Sequence, residues 1–419
     1  MYLNRTVLFI FALFFCPLLQ AQEHHHHMDM EMKDPVSEFL MKQASGTSAN
    51  PESSPMHMSA YKLGTWNLML HGVVFIVDGQ QTGPRGADKF FSANWFMGVA
   101  QHKLGKGIFQ FRSMMSLEPA TVTDRQYPLL FQTGETAFGK PIVDGQHPHD
   151  LFMELSVQYA FPITSHTVGS IYFAPVGDPP LGPVAFPHRA SASEFPQATL
   201  SHHWQDSSHI VNEVLTGVVE HGIFRFEAGG FHGAEPDENR WNIDHGPIDS
   251  WAARLTISPR PNWSGQISGG FLKKPEELEA DNIMRTTASL SYNRPMTDGN
   301  WATSFIWGRN HKSVEKRNLN AYTLESVYQF RTKNYLSGRF EYVDKDELFS
   351  DEPENPLSNS VFKIGSYTFG YTRDFDLIPN LLTGIGANVT LYTFPEELIP
   401  YYGNHPAAFF MFLRIRQRH

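Results

Sequence analysis

The chain has 419 residues, a formal net charge of −10 at pH 7 and one cysteine, Cys16, inside an apolar run near its start. The acidic balance argues against nucleic acid as a partner, and a lone thiol leaves no disulfide framework and no thiolate metal site. Aromatic residues make up 13% and glycines number 32, yet mean hydropathy is only −0.32, a mixture that suits strands wetting one face and giving the other to lipid.

Residues 1–21 read as a secretory signal. Arg5 supplies the basic start, residues 7–19 (VLFIFALFFCPLL) the apolar run, and Ala21 a small residue before the expected cleavage point. The run is too short for an uncleaved membrane helix, and Pro17 interrupts it. Residues 22–61 are then expected to form a disordered periplasmic tail, rich in Ser, Pro and charge with little to bury. On that reading residues 23–58 are dispensable for folding and insertion.

From Trp66 onward the pattern changes to segments of about ten residues that alternate apolar and polar positions. Leu151, Met153, Leu155, Val157, Tyr159 and Phe161 share one face, with Glu154, Ser156 and Gln158 on the other. Trp263, Gly265, Ile267, Gly269 and Phe271 oppose Ser264, Gln266 and Ser268 in the same way. About 16 such segments follow the outer-membrane strand signature. They begin near Trp66, Ala93, Gly107, Leu151, Thr167, His209, Ile223, Trp251, Trp263, Met284, Trp301, Ala321, Tyr335, Val361, Leu382 and Ala407. Short turns, as at 104–106, 220–222 and 259–261, alternate with longer loops, two of which run over roughly 118–150 and 177–207. Residues 62–419 are therefore expected to form an all-β, transmembrane, antiparallel up-and-down β-barrel in the bacterial outer membrane. A soluble β-sandwich inverts the same pattern, but it does not account for an aromatic-tipped apolar face on nearly every segment.

Turning the polar face inward places Arg112, Arg225, Arg254, Arg285, Arg339, Arg414 and Arg416 in the lumen with Glu154, Glu227, Glu325 and Glu341. Two readings stay open here. Fixed charges select ions in a wet pore, and the arginine excess would favour anions; alternatively, Arg–Glu pairs brace a filled interior.

Histidine is the third signal, with 20 residues. His24, His25, His26 and His27 precede Met28, Met30 and Met32, and Met56, His57 and Met58 repeat the theme. Imidazole with thioether suits soft or borderline metals, copper above all. A second group lies in the long loops: His147, His149 and Asp150 in one, and His188, His202, His203 and Asp206 in the other. If both loops lie on one side of the barrel, these residues meet at its mouth.

The loop segments HPHD (147–150) and SHHWQDSSH (201–209) resemble those of a group of predicted bacterial outer-membrane proteins with porin-like barrels. The resemblance covers most of the chain after residue 60. It implies location and architecture, and it carries no substrate or catalytic residues. The Met/His-rich tail is similar to those of outer-membrane copper-resistance proteins, although the barrel segments do not match them.

Three functions follow as expectations. The first is a porin-like channel for small solutes or ions, with outer-membrane lipid as its surroundings and homo-oligomerisation left open. The second is metal handling, with copper ions as ligand and no other cofactor required. The third is a barrel-embedded hydrolase using Ser201 or Ser207 with His202, His203 and Asp206. No Gly-x-Ser-x-Gly elbow supports that triad, so the chain is read as a non-enzyme.

Overall fold

The period-two pattern resolves into a closed wall of sixteen antiparallel strands in the computed structural model, which describes residues 34–278 and 281–418. A short strand β1 (Met58–Leu63) precedes β2 (Trp66–Gln81), β3 (Lys89–Leu104) and β4 (Gly107–Met115). A separate two-stranded hairpin, β5 (Tyr127–Ala137) and β6 (Lys140–Gln146), interrupts the wall. The wall resumes with β7 (Phe152–Thr164), β8 (Thr167–Gly177), β9 (Val211–His221), β10 (Phe224–His232), β11 (Ser250–Arg260) and β12 (Trp263–Leu272). It ends with β13 (Ile283–Met296), β14 (Gly299–Lys312), β15 (Arg317–Phe330), β16 (Asn334–Lys345), β17 (Phe362–Phe375), β18 (Leu381–Thr393) and β19 (Ala407–Gln417). Strand β19 pairs with β2 from Ala408↔Gln81 to Arg416↔Val73 and closes the ring. The remaining edge of β2 is covered by β1, from Met58↔His71 to Leu63↔Trp66. Between them β19 and β1 pair that edge of β2 along nearly its whole length, and backbone pairing of this kind is what a membrane interior requires.

Strand β16 shows why the pattern was readable. Leu336, Phe340 and Tyr342 are exposed on the outer face, while Ser337, Arg339 and Glu341 are buried on the inner one. The register sets Arg339 opposite Glu325 on β15, and Arg254 on β11 opposite Glu227 on β10. Trp263, Tyr292 and Trp301 pack in turn near the short-turn end, tilted and then edge-on, with ring centroids 4.5 and 5.5 Å apart, as in an aromatic girdle at one interface.

Short turns join the strands at one end and the longer connections lie at the other, with residues 116–151 and 178–210 the longest. The longer connections close the far end over an apolar cluster that includes Phe131 on β5, Leu348, Phe349, Leu398 and Tyr402. Arg85 pins this lid: its guanidinium donates to the Leu348 carbonyl (2.7 Å), Glu352 (2.7 Å) and the Tyr402 hydroxyl (3.1 Å).

The expectation of a disordered tail over 22–61 does not hold for residues 34–61. Helix α1 (Pro35–Met41) starts at an Asp34 cap whose carboxylate accepts from the Val36 amide, with proline in its first turn. Val36, Phe39 and Leu40 are buried against Ala160, Val168 and Val218 of the wall. Inward arginines then hold the following chain: Arg225 donates to the carbonyls of Phe39 (3.2 Å) and Thr47 (2.9 Å), and Arg112 donates to that of Gly46. Gly46 has φ +51° and lies against the Asp178 backbone, so a side chain is excluded there. The segment fills the short-turn end of the lumen instead of trailing from it. The proposed signal and His24 to His27, Met28, Met30 and Met32 lie outside the described residues.

Candidate functional site in the lumen

Every wall charge expected inside is inside and buried: Arg112, Arg225, Arg254, Arg285, Arg339, Arg414, Arg416, Glu154, Glu227, Glu325 and Glu341. Buried charges need partners, and here the partners are each other and the lumenal chain. Arg112 pairs with Glu154 at 2.8 Å, and Arg254 is bidentate on Glu227 at 2.7 and 2.9 Å. Arg225 pairs with Glu220 at 2.7 Å. Of the two readings left open by the sequence, this geometry matches bracing of a filled interior.

The filling is residues 178–210, which cross the lumen from β8 to β9. At one end Arg254 reaches the Gly182 carbonyl at 3.1 Å. Gly182 has φ +90°, and a side chain there would strike the Gln205 carbonyl. In the middle, Arg189 donates to Glu325 on β15 (2.7 Å), to Asp206 (2.6 Å) and to the Val184 carbonyl (2.9 Å). Glu194 takes Arg414 and Arg416 of β19. Arg339 donates to the Gln197 carbonyl at 3.1 Å, and Ser201 donates to Glu341 at 2.9 Å. Arg285 donates to the His203 carbonyl at 2.7 Å. The loop is thus tied to β11, β13, β15, β16 and β19.

The two histidine-bearing loops do meet, but within the lumen. The rings of His149 and His209 lie 5.6 Å apart, those of His202 and His209 5.2 Å, and Phe186 packs against His149 and His202. Each imidazole has a carboxylate or carbonyl partner: His147 with Glu135, His149 with Glu118 (2.9 Å), His202 with Asp206 (2.8 Å), His203 with Glu276 (2.9 Å), and His209 with the Asp206 carbonyl (2.8 Å). Burial holds His147 down to about 4 and His203 down to about 3. Burial also pulls on His149, but the Glu118 carboxylate outweighs it and raises that imidazole. Asp150 is pushed up to about 7 by burial, against the pull of Arg240.

The hydrolase arrangement is not assembled. Ser201 Oγ bonds to Gln205, Thr323 and Glu341, and Ser207 Oγ accepts from Arg285 at 3.0 Å; neither hydroxyl meets an imidazole. A nucleophile needs its base within hydrogen-bond reach. His203, Glu235 and Glu276 bring three potential ligand atoms within 4.8 Å. Burial and the neighbouring Glu276 and Glu135 push Glu235 well up, so this group is poor in charge for a cation.

Sequence reading missed several residues that organise the interior: Glu118, Glu135, Arg189, Glu194, His209, Arg240 and Glu276 in the loops, and His71 on β2. Of the residues expected to bind metal, Met56, His57 and Met58 line a cavity of about 200 Å³ between α1, the wall and the second long loop. His188 lines the same cavity, and so does His149 of the first long loop.

No protein-family model and no curated protein matches this sequence. Among solved structures, the fold is similar to the anion-selective porin from Comamonas acidovorans, with TM-score 0.53 and 10% identity over 84% of this chain and 99% of that one. It is also similar to OmpF of Salmonella typhi, solved in complex with daunomycin, with TM-score 0.52 and 10% identity over 85% of this chain and 100% of that one. Fold and wall together define a β-barrel of porin-like architecture.

Proposed function

We propose that this chain is an outer-membrane channel for small solutes or ions, closed at rest by its own second long loop and N-terminal segment. The observation that carries this reading is how the loop is held. Its attachments to a sixteen-stranded wall are buried ion pairs and hydrogen bonds to Arg254, Arg285, Arg339, Glu325, Glu341, Arg414 and Arg416. Water and mobile ions can replace such partners one for one when the loop leaves, and the exposed wall is then that of a wide, charged pore. Seven arginines against four glutamates on that wall favour anions once it is wet. Recording in a planar bilayer tests the reading. Stepwise conductance with anion preference supports it, and silence in the wild type and in every variant that cuts a loop anchor contradicts it.

A second reading, copper handling, is favoured by one observation: Met56, His57 and Met58 lie on a lumenal cavity that other histidine and methionine side chains also line. Imidazole and thioether without thiolate are ligands for copper in its soft state.

A further inference from the structure

Three inward side chains form a row across the wall beside that cavity. His71 on β2 stands opposite Met97 on β3, and Met97 stands opposite Met114 on β4. Directly opposed residues of antiparallel strands share a face, so all three project into the lumen. The second long loop brings His188 to the same place. His71 Nε2 lies 3.0 Å from Met97 Sδ, and His188 Nε2 lies 3.2 Å from Met114 Sδ. The two imidazole centroids are 6.1 Å apart, and the Trp95 ring packs against both, at 5.2 and 4.7 Å.

We propose that His71, His188, Met97 and Met114 form a lumenal binding site for one Cu(I) ion, a site that rests on the copper-handling reading and gives it a location. Donor chemistry is the first argument. A thioether is a weak hydrogen-bond acceptor, yet two partly buried imidazoles each turn a ring nitrogen to one, in an interior crowded with carboxylates. Spacing is the second. Ligands about 2.0 Å (nitrogen) and 2.3 Å (sulfur) from one ion lie about 3.5 Å apart at the tetrahedral angle and about 3.0 Å apart at a right angle, so each nitrogen–sulfur pair reaches a shared ion by opening a few tenths of an ångström. An imidazole centroid then lies about 3.1 Å from the ion, so two of them sharing it are at most about 6.2 Å apart. The observed 6.1 Å lies just inside that limit, which is reached only with the two nitrogens in line; at the tetrahedral angle the centroids are about 5.1 Å apart, so the rings close by about 1 Å on the ion.

Charge is the third argument. Arg112 is paired with Glu154 at 2.8 Å, and Glu118, the carboxylate at the cavity edge, is taken up by His149 at 2.9 Å. A neutral, sulfur-bearing pocket without a free carboxylate suits a monovalent soft ion over a hard divalent one. Met58 and His57, on the same cavity, are placed to pass the ion from the tail to the site.

The test is an anaerobic Cu(I) titration of the full-length protein in detergent against a chromophoric Cu(I) chelator, with Ag(I) as a redox-inert repeat. Three proteins are compared: wild type, Met97→Leu/Met114→Leu, and a tail variant with His24 to His27 changed to Gln and Met28, Met30 and Met32 to Leu. Leucine keeps the volume of methionine, so the first variant keeps the fold; heat-induced loss of strand signal verifies this. The expected result is one ion held at least tenfold more weakly by Met97→Leu/Met114→Leu than by the wild type. Copper X-ray absorption should show nitrogen and sulfur donors together in the wild type and lose the sulfur in that variant. Equal binding by these two overturns the lumenal site; if the tail variant alone then loses binding, copper handling survives and resides in the tail. Absence of binding in the wild type overturns both.

Discussion

Replacing Arg189 with methionine removes the second long loop's own guanidinium, which joins it to Glu325 on the wall, while keeping the bulk of its stem. Arg189, Asp206 and Glu325 are each at most 2% exposed, so no solvent takes the place of the lost cation. Removing one member of a buried pair costs about 3–5 kcal/mol, because the remaining charge is left uncompensated. Here Glu325 keeps Arg339 at 3.1 Å and Asp206 keeps His202 at 2.8 Å, which places the expected loss near the lower end, about 3 kcal/mol. At about 1.4 kcal/mol per factor of ten, the balance between held and released loop shifts roughly a hundredfold. Single-channel recording in a planar bilayer reads this directly as open probability. An Arg189→Met protein that inserts normally but opens no more often than the wild type would refute the reasoning, since the loop would then be held by something other than these pairs.

Glu194→Gln should strengthen anion preference, because Arg414 and Arg416 lose the carboxylate they share; the reversal potential in a salt gradient measures it, and an unchanged value counts against a lumenal role for these arginines. Truncating residues 34–57 should destabilise the barrel and raise its conductance, since Val36, Phe39 and Leu40 lose burial worth about 1.5–3 kcal/mol each; equal melting and equal conductance would show the segment to be a passive tail. Asp178, just beyond β8, is pushed up to about 7 by burial, against the pull of Arg254. A carboxyl raised in the folded state stabilises below its unfolded value near 4, and that contribution fades as pH rises through about 7. Asp178→Asn should therefore melt higher than the wild type at pH 8, with the gap closing toward pH 4; a gap independent of pH would contradict this.

The wall was legible because lipid outside and charge inside impose a period of two on every strand. The largest offsets between expected and observed strand starts are four residues, Ala93 against Lys89 and Ala321 against Arg317. What was not legible lies inside. Helix α1 has three buried apolar residues in a polar context, and what fixes it is a set of arginines supplied by distant strands; composition alone reads such a segment as disordered. Hairpin β5–β6 is short and irregular, with register shifts between Pro128 and Thr133 and between Thr133 and Thr136, so it shows no clean alternation. The loop histidines stood out because they cluster along the chain. His71, Met97 and Met114 do not: they come together only across three strands, through a register that the sequence does not display.

The central claim is that the second long loop closes the lumen by attachment to its wall, and a reversible tether tests it most directly. The chain's only cysteine is Cys16, so with Cys16→Ser a new pair stands alone. Ser191 on the loop and Ser304 on β14 bring their hydroxyls within 2.9 Å, a spacing that a disulfide can span with small adjustments. Ser191→Cys/Ser304→Cys should be closed when oxidised, in single-channel records and in liposome swelling with small solutes, and should regain wild-type openings when reduced. Equal flux in the oxidised and reduced forms, with the disulfide verified by mass, would contradict the account.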